Sequence, residues 1–175
     1  IGPALGRHQP QGCTMTRAMR ISLIAATVMV DQLTKATALS LLSQGTAVPV
    51  FPGFNFTLGF NEGASFGMMG GVMAGKPLLM AALTGALALT FAVMAFQARN
   101  ALERAGFALV VGGAIGNIID RLRQGAVTDF LDFYWRNWHW PTFNIADIAI
   151  TLGAVLILAA SLPLRRRKEP VLDKS

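Results

Sequence analysis

Four stretches of mostly apolar residues, 18–42, 77–98, 105–123 and 143–164, constrain this chain more than anything else in it. Each is close to the length of about 20 residues that a bilayer-crossing helix needs. With four of them in 175 residues, little chain is left for a separate water-soluble core. The expected architecture is therefore an all-α integral membrane protein with four transmembrane helices. Composition agrees, since 53% of the residues are hydrophobic and only 14% are charged, against about 25% charged in an ordinary soluble domain. That excludes a disordered chain, and the single cysteine, Cys13, excludes a disulfide-stapled secreted domain. His8 and His139 are the only histidines and lie far apart, so no metal site is expected.

Orientation follows from the cations. Arg7, Arg17 and Arg20 precede or open the first stretch, and Arg99 and Arg104 lie between the second and third. Arg165, Arg166, Arg167, Lys168 and Lys174 follow the fourth. The positive-inside rule then places both termini in the cytoplasm and segments 43–76 and 124–142 outside. The same placement accounts for the net charge of +6, so no nucleic-acid partner is expected. Residues 1–14 read as a non-native or upstream leader ahead of a natural start at Met15. Residues 15–167 then form one membrane domain and 168–175 a cytoplasmic tail.

The outer segments carry their own signals. Phe54, Phe56, Leu58 and Phe60 alternate at period two, which predicts a strand with one greasy face. The run DFYWRNWHW reads as an aromatic anchor at the membrane interface, with His139 an interface residue rather than a general base. The glycine-rich segment 63–75 lacks the lysine of a phosphate loop, and no cofactor is expected.

Polar residues inside such stretches are expensive, about 2.5–3.5 kcal/mol for a carboxylate. Asp31, Asp120, Asp129 and Asp147 each need a partner or a task. Asp31 and Lys35 are four apart on one helix and predict a structural ion pair. Asn117, Asp120 and Arg121 share one helix face. An Asp120–Arg121 pair near the outer end would brace the bundle, and Asn117, lying deeper, could bond a peptide or lipid carbonyl. Gly112, Gly113 and Gly116 beside them predict close helix packing. Asp129 and Asp147 should reach a similar depth near the outer face, with no lysine near either in sequence. Two carboxylates held close cannot both ionise, which supplies a base for water and an acid for a leaving amine. That is aspartic-protease chemistry, although spacing alone leaves open whether the two meet. Asn144, three residues before Asp147, is placed to orient its carboxyl group. The competing reading is a small four-helix proton-coupled transporter, for which carboxylates at the midplane would be the better sign.

The ordered blocks VDQLTK, FNEGASFG, GGAIGNIIDR, VTDF and FNIADIAITLG resemble lipoprotein signal peptidase, also called signal peptidase II. The resemblance covers the chain from about Met15 to Arg167. It implies a multi-pass aspartyl endopeptidase of the bacterial inner membrane with its active site near the extracytoplasmic face. Such an enzyme removes signal peptides from prolipoproteins already carrying a diacylglyceryl group, cutting just before the lipidated cysteine. By motif position it implies a catalytic pair of Asp129 and Asp147. It implies substrate-binding roles for Asn61, Gly63, Asn117, Asp120, Arg121 and Asn144, and supporting roles for Asp31 and Lys35. It also implies a small β-sheet cradle between helices 1 and 2, a lipid-embedded monomer, and a prolipoprotein as partner. Thr128 and Ser65 stand where many members have valine and alanine, and Glu62 adds a charge beside the substrate loop.

Overall fold

The computed structural model describes residues 15–63, 76–98 and 100–162. The leader, Ser65, Arg99 and the cationic tail lie outside the described residues. In chain order the elements are α1 (Arg17–Leu41), β1 (Ala47–Phe51), β2 (Phe54–Asn61), α2 (Pro77–Gln97), α3 (Ala101–Gln124), β3 (Val127–Trp135), β4 (Trp138–His139) and α4 (Ile145–Ser161). Two helices, Pro77–Gln97 and Ala101–Gln124, are long and apolar enough to cross a membrane, and Ile145–Ser161 is a shorter apolar helix.

Local signals set the helix ends. Thr16 caps α1 by accepting from the Met19 N–H, and Asn100 caps α3 by accepting from the Glu103 N–H. Pro77 occupies the first turn of α2, where its missing N–H costs nothing. Gly125 ends α3 in the left-handed conformation at φ 81°. At the far end of the bundle Arg20 and Arg104 donate to the carbonyls of Ala95 and Ala98, the last of α2.

The helices are packed with their polarity reversed. On α1 the buried residues are Thr27, Asp31, Lys35 and Ala38, a single stripe of helical spacing. Asp31 is 0% and Lys35 2% exposed, whereas Ile21, Leu33 and Leu41 are 66%, 62% and 76% exposed. In water that arrangement would forfeit most of the hydrophobic gain, and it suits a hydrocarbon solvent. α2 buries only Ala81 and Ala88 and presents its large side chains outward.

α3 is the hub, packing against the other three helices. Its glycines make this possible. A Cβ on Gly112 would sit 2.8 Å from Thr27 Cβ of α1, one on Gly113 would strike the Ala146 carbonyl of α4, and one on Gly116 would strike the Asp31 carboxylate. The expected close approach is thus found, and it brings α1 and α4 together around the C-terminal half of α3.

A four-stranded antiparallel sheet, in the order β1-β2-β3-β4, caps that end. It corrects the expectation of a cradle drawn only from the chain between helices 1 and 2. The segment after α3 supplies β3 and β4, so the aromatic run is a hairpin turning at Arg136, φ 55°. Its Trp135, Trp138 and Trp140 remain exposed. The period-two reading of β2 also fails part-way. Leu58 is buried but Phe60 is exposed, and Asn55 is buried, because the register with β3 shifts between Phe56 and Gly59. Phe143, just ahead of α4, exchanges backbone hydrogen bonds with Leu131, which ties β3 to the start of that helix.

Candidate active site

Two groups of carboxylates, all buried except the half-buried Asp147, lie where α1, α3, α4 and β3 converge. The first is built on Lys35. Its Nζ lies 2.9 Å from Asp31 Oδ2, 3.1 Å from Asp120 Oδ2 and 2.9 Å from Asn117 Oδ1, so all three ammonium protons have acceptors. Gln32, not singled out from the sequence, donates to both carboxylates. The Asp31–Lys35 pair is the expected one. Asp120 does not pair with Arg121, its neighbour in sequence; it turns toward α1 and takes Lys35 instead. Arg121 donates to the Asn117 carbonyl at 3.4 Å, and its Nε is buried without a partner.

The second group is Asp129 and Asp147, and Asn144 joins them. As N-cap of α4, Asn144 forms a capping box with Asp147: its Oδ1 accepts the Asp147 N–H at 3.0 Å, and Asp147 Oδ2 accepts the Asn144 N–H at 3.2 Å. Its Nδ2 donates to Asp129 Oδ1 at 2.6 Å. Asn144 therefore orients both carboxyl groups, one more than the sequence suggested, and it does so from the cap rather than the helix face. Asn117 donates to Asp147 Oδ1 at 2.9 Å. Among the described residues neither carboxylate has an ion-pair partner.

The orientation of the Asn117 amide is forced. Lys35 can only donate, so it claims Oδ1, and the NH2 is left to face the Asp147 carboxylate. Reversing the amide would place NH2 against an ammonium and oxygen against a carboxylate. Asp129 lies on β3 opposite Gly59 and is 2% exposed. Burial lifts its pKa to about 7, helped by the charge of Asp147, against the pull of hydrogen bonds from Asn144 and Asn61.

Two cavities open on these carboxylates. One of about 420 Å³ is lined by Gly59, Asn61, Glu62, Asp129 and Thr142. The other, about 680 Å³, runs along α4 from Asp147 past Ile148, Thr151 and Leu152 to Val155. Asn61 lines both, so a polar cleft meets an apolar groove at the two aspartates. Asn61 Oδ1 also accepts the N–H of Gly63, which has φ 102°, and this turns the chain at the cleft rim. His139 lies on the β3–β4 hairpin, 2.9 Å from Asp132, with its ring stacked on Tyr134. Asp132, which sequence reasoning passed over, is buried and also accepts from Asn55 and Thr57.

A family model described as Signal peptidase (SPase) II matches residues 23–163. A lipoprotein signal peptidase of Burkholderia thailandensis is 42% identical over 139 residues, covering 79% of this chain and 82% of that protein. One of Yersinia pseudotuberculosis is 38% identical over 138 residues, covering 78% and 82%. A bacterial membrane enzyme solved in meso at 1.9 Å resolution superposes with a TM-score of 0.74 at 30% identity, covering 86% of this chain and 96% of that one. A second, solved at 2.3 Å, gives 0.74 at 29% identity, covering 92% and 98%.

Proposed function

This chain belongs to the signal peptidase II family, a family of membrane peptidases whose curated members are lipoprotein signal peptidases, and from that premise we propose that it is an aspartyl endopeptidase of the bacterial inner membrane. In this reading four helices cross the bilayer, both termini face the cytoplasm, and the sheet rests on the outer face. The substrate is a prolipoprotein already bearing a diacylglyceryl group on its lipobox cysteine. Its apolar signal helix lies in the groove along α4, its acyl chains stay in the bilayer, and the bond ahead of the lipidated cysteine enters the cleft at Asn61. No second copy of the chain is needed to complete the site.

The observation that carries this reading is the pair of carboxylates, Asp129 buried and Asp147 half-buried, bridged by one asparagine and, among the described residues, ion-paired with no cation. Asp129 keeps its proton near neutral pH, which leaves Asp147 to act as the base. Asp147 takes a proton from water as the hydroxide oxygen adds to the scissile carbonyl, while Asp129 donates to the carbonyl oxygen. As the C–N bond breaks, the proton held by Asp147 passes to the leaving amine of the cysteine, and one hydroxyl of the diol returns its proton to Asp129 as the C=O bond re-forms. Asn61 borders this space and, in this reading, holds the substrate backbone together with Gly63 and Arg121.

A gel-shift assay in detergent tests it. Purified protein is given a diacylglyceryl-modified prolipoprotein, the unlipidated precursor as control, and the Asp129→Asn and Asp147→Asn variants are run beside wild type. Cleavage of the lipidated form alone, lost in both variants, is expected. Cleavage surviving in either variant overturns the paired-aspartate mechanism, and an intact substrate with folded wild type overturns the activity.

A further inference from the structure

The triad around Lys35 does more than balance charge. Asp31 Oδ1 accepts the peptide N–H of Ala146 at 2.9 Å, and Ala146 immediately precedes Asp147. Asp120 Oδ2 accepts the peptide N–H of Thr128 at 2.9 Å, and Thr128 immediately precedes Asp129. Lys35 joins the two gripping carboxylates at 2.9 and 3.1 Å and spends its third proton on Asn117, which orients Asp147. Ala146 is 0% and Thr128 0% exposed, so water cannot replace either grip. We infer that Asp31, Lys35 and Asp120 form a positioning clamp, in which each carboxylate holds the peptide group ahead of one catalytic aspartate and Lys35 fixes the distance between the two grips.

The clamp rests on the proposed peptidase reading and deepens it. Its members touch neither substrate nor the attacking water; they act through the backbone. In an enzyme that works by two carboxylates sharing a proton, their separation sets both the geometry of attack and the repulsion that keeps one of them protonated. The other charged groups facing the pair are Arg121 of α3 and Glu62 at the cleft rim.

The hydrogen-bond geometry predicts an asymmetry that a charge-balancing role does not. In Asp120 one oxygen, Oδ2, serves both Lys35 and the Thr128 N–H. Asparagine can reproduce that oxygen and gives up only the bond from Gln32, whose amide still donates to Asp31 and to the Gly116 carbonyl. In Asp31 the duties are split, Oδ1 to Ala146 and Oδ2 to Lys35. Asparagine there must set its NH2 against one donor or the other. Each substitution removes the same single charge.

The experiment measures kcat, KM and the pH profile of cleavage of the lipidated precursor by full-length Asp120→Asn, Asp120→Ala and Asp31→Asn protein. Asp120→Ala and Asp31→Asn are expected to lose about 10- to 100-fold in kcat with KM changed less than about threefold. Asp120→Asn is expected to keep at least about tenfold more kcat than Asp120→Ala. In Asp120→Ala the two limbs of the pH profile should draw together as the carboxylates drift apart and repel less. Equal kcat for the asparagine and alanine variants at 120, or equal kcat for the two asparagine variants, overturns the clamp, as does an unchanged profile in Asp120→Ala. If the alanine variant does not fold, the contrast between the two near-isosteric asparagine variants still decides. Loss of the proposed activity itself would show separately, as wild type that does not cleave or Asp129→Asn and Asp147→Asn variants that do.

Discussion

Two pairs of carboxylates sit side by side in this protein and differ in what joins them. Asp31 and Asp120 are joined by the Lys35 ammonium, and Asp129 and Asp147 by the Asn144 amide. An ammonium supplies hydrogen bonds and an opposite charge to both members, which makes the first pair a structural unit. An amide supplies hydrogen bonds and no charge, so one member of the second pair must keep its proton. Residue type is alike in the two, but Asp147 is only half-buried and opens on the groove along α4; the bridging group and that opening decide which pair is support and which is reactive.

The contrast is broken most directly by neutralising one member at a time. Asp129→Asn and Asp147→Asn should each lower kcat by about 10³-fold or more, since each removes a proton-transfer partner, while the protein stays folded by thermal unfolding in detergent. Lys35→Met should do the opposite in kind. Two buried carboxylates lose their cation, and the protein should lose about 3–5 kcal/mol of stability, read from the same unfolding assay. If instead Lys35→Met were stable, the first pair would not be held by its charge.

The pH dependence sharpens the same contrast. Asp129 is lifted from an ordinary 3.8 to about 7, so its charged form disfavours the folded state. Wild type should therefore lose stability as pH rises from about 4 through 7, and Asp129→Asn, which has no carboxyl to ionise at that position, should lose less. The melting temperatures should match near pH 4 and diverge above it with the variant higher. Cleavage by wild type should fall on the alkaline side near pH 7, as Asp129 gives up the proton it donates. The smallest effect is expected at Thr128, whose hydroxyl accepts from Gln124 at 2.6 Å beside the strand that carries Asp129. Thr128→Val should cost about 1 kcal/mol and leave the pH limbs in place, because the Asp120 grip is on the backbone N–H.

The legible part of this protein is what the helix period fixes locally. Asp31 and Lys35 pair as their spacing requires, and Asn144 and Asp147 form a capping box that an N-x-x-D pattern ahead of an apolar run announces. The three glycines of α3 mark close approach, and the apolar stretches lie where the four helices form, although their dimensions alone leave only two that clearly suit a bilayer. The aromatic hairpin was hidden because β4 has only two residues and lacks an alternating pattern of its own.

What the tertiary structure decided is who meets whom across the bundle. Asp120 lies next to Arg121 in sequence yet pairs with Lys35, because side chains at adjacent helix positions diverge and α1 packs onto the other face of α3. Asn144 reaches Asp129 because β3 bonds back to Phe143, at the mouth of α4. Spacing along one helix is set by the backbone's own geometry and can be read from a string of letters. Contacts between residues more than 80 apart, as between Lys35 and Asn117, depend on how three glycines let the helices close. The sequence alone determined which polar residues this protein carries into its apolar core, and only the packed bundle decided which of them are neutralised and which keep a proton to use.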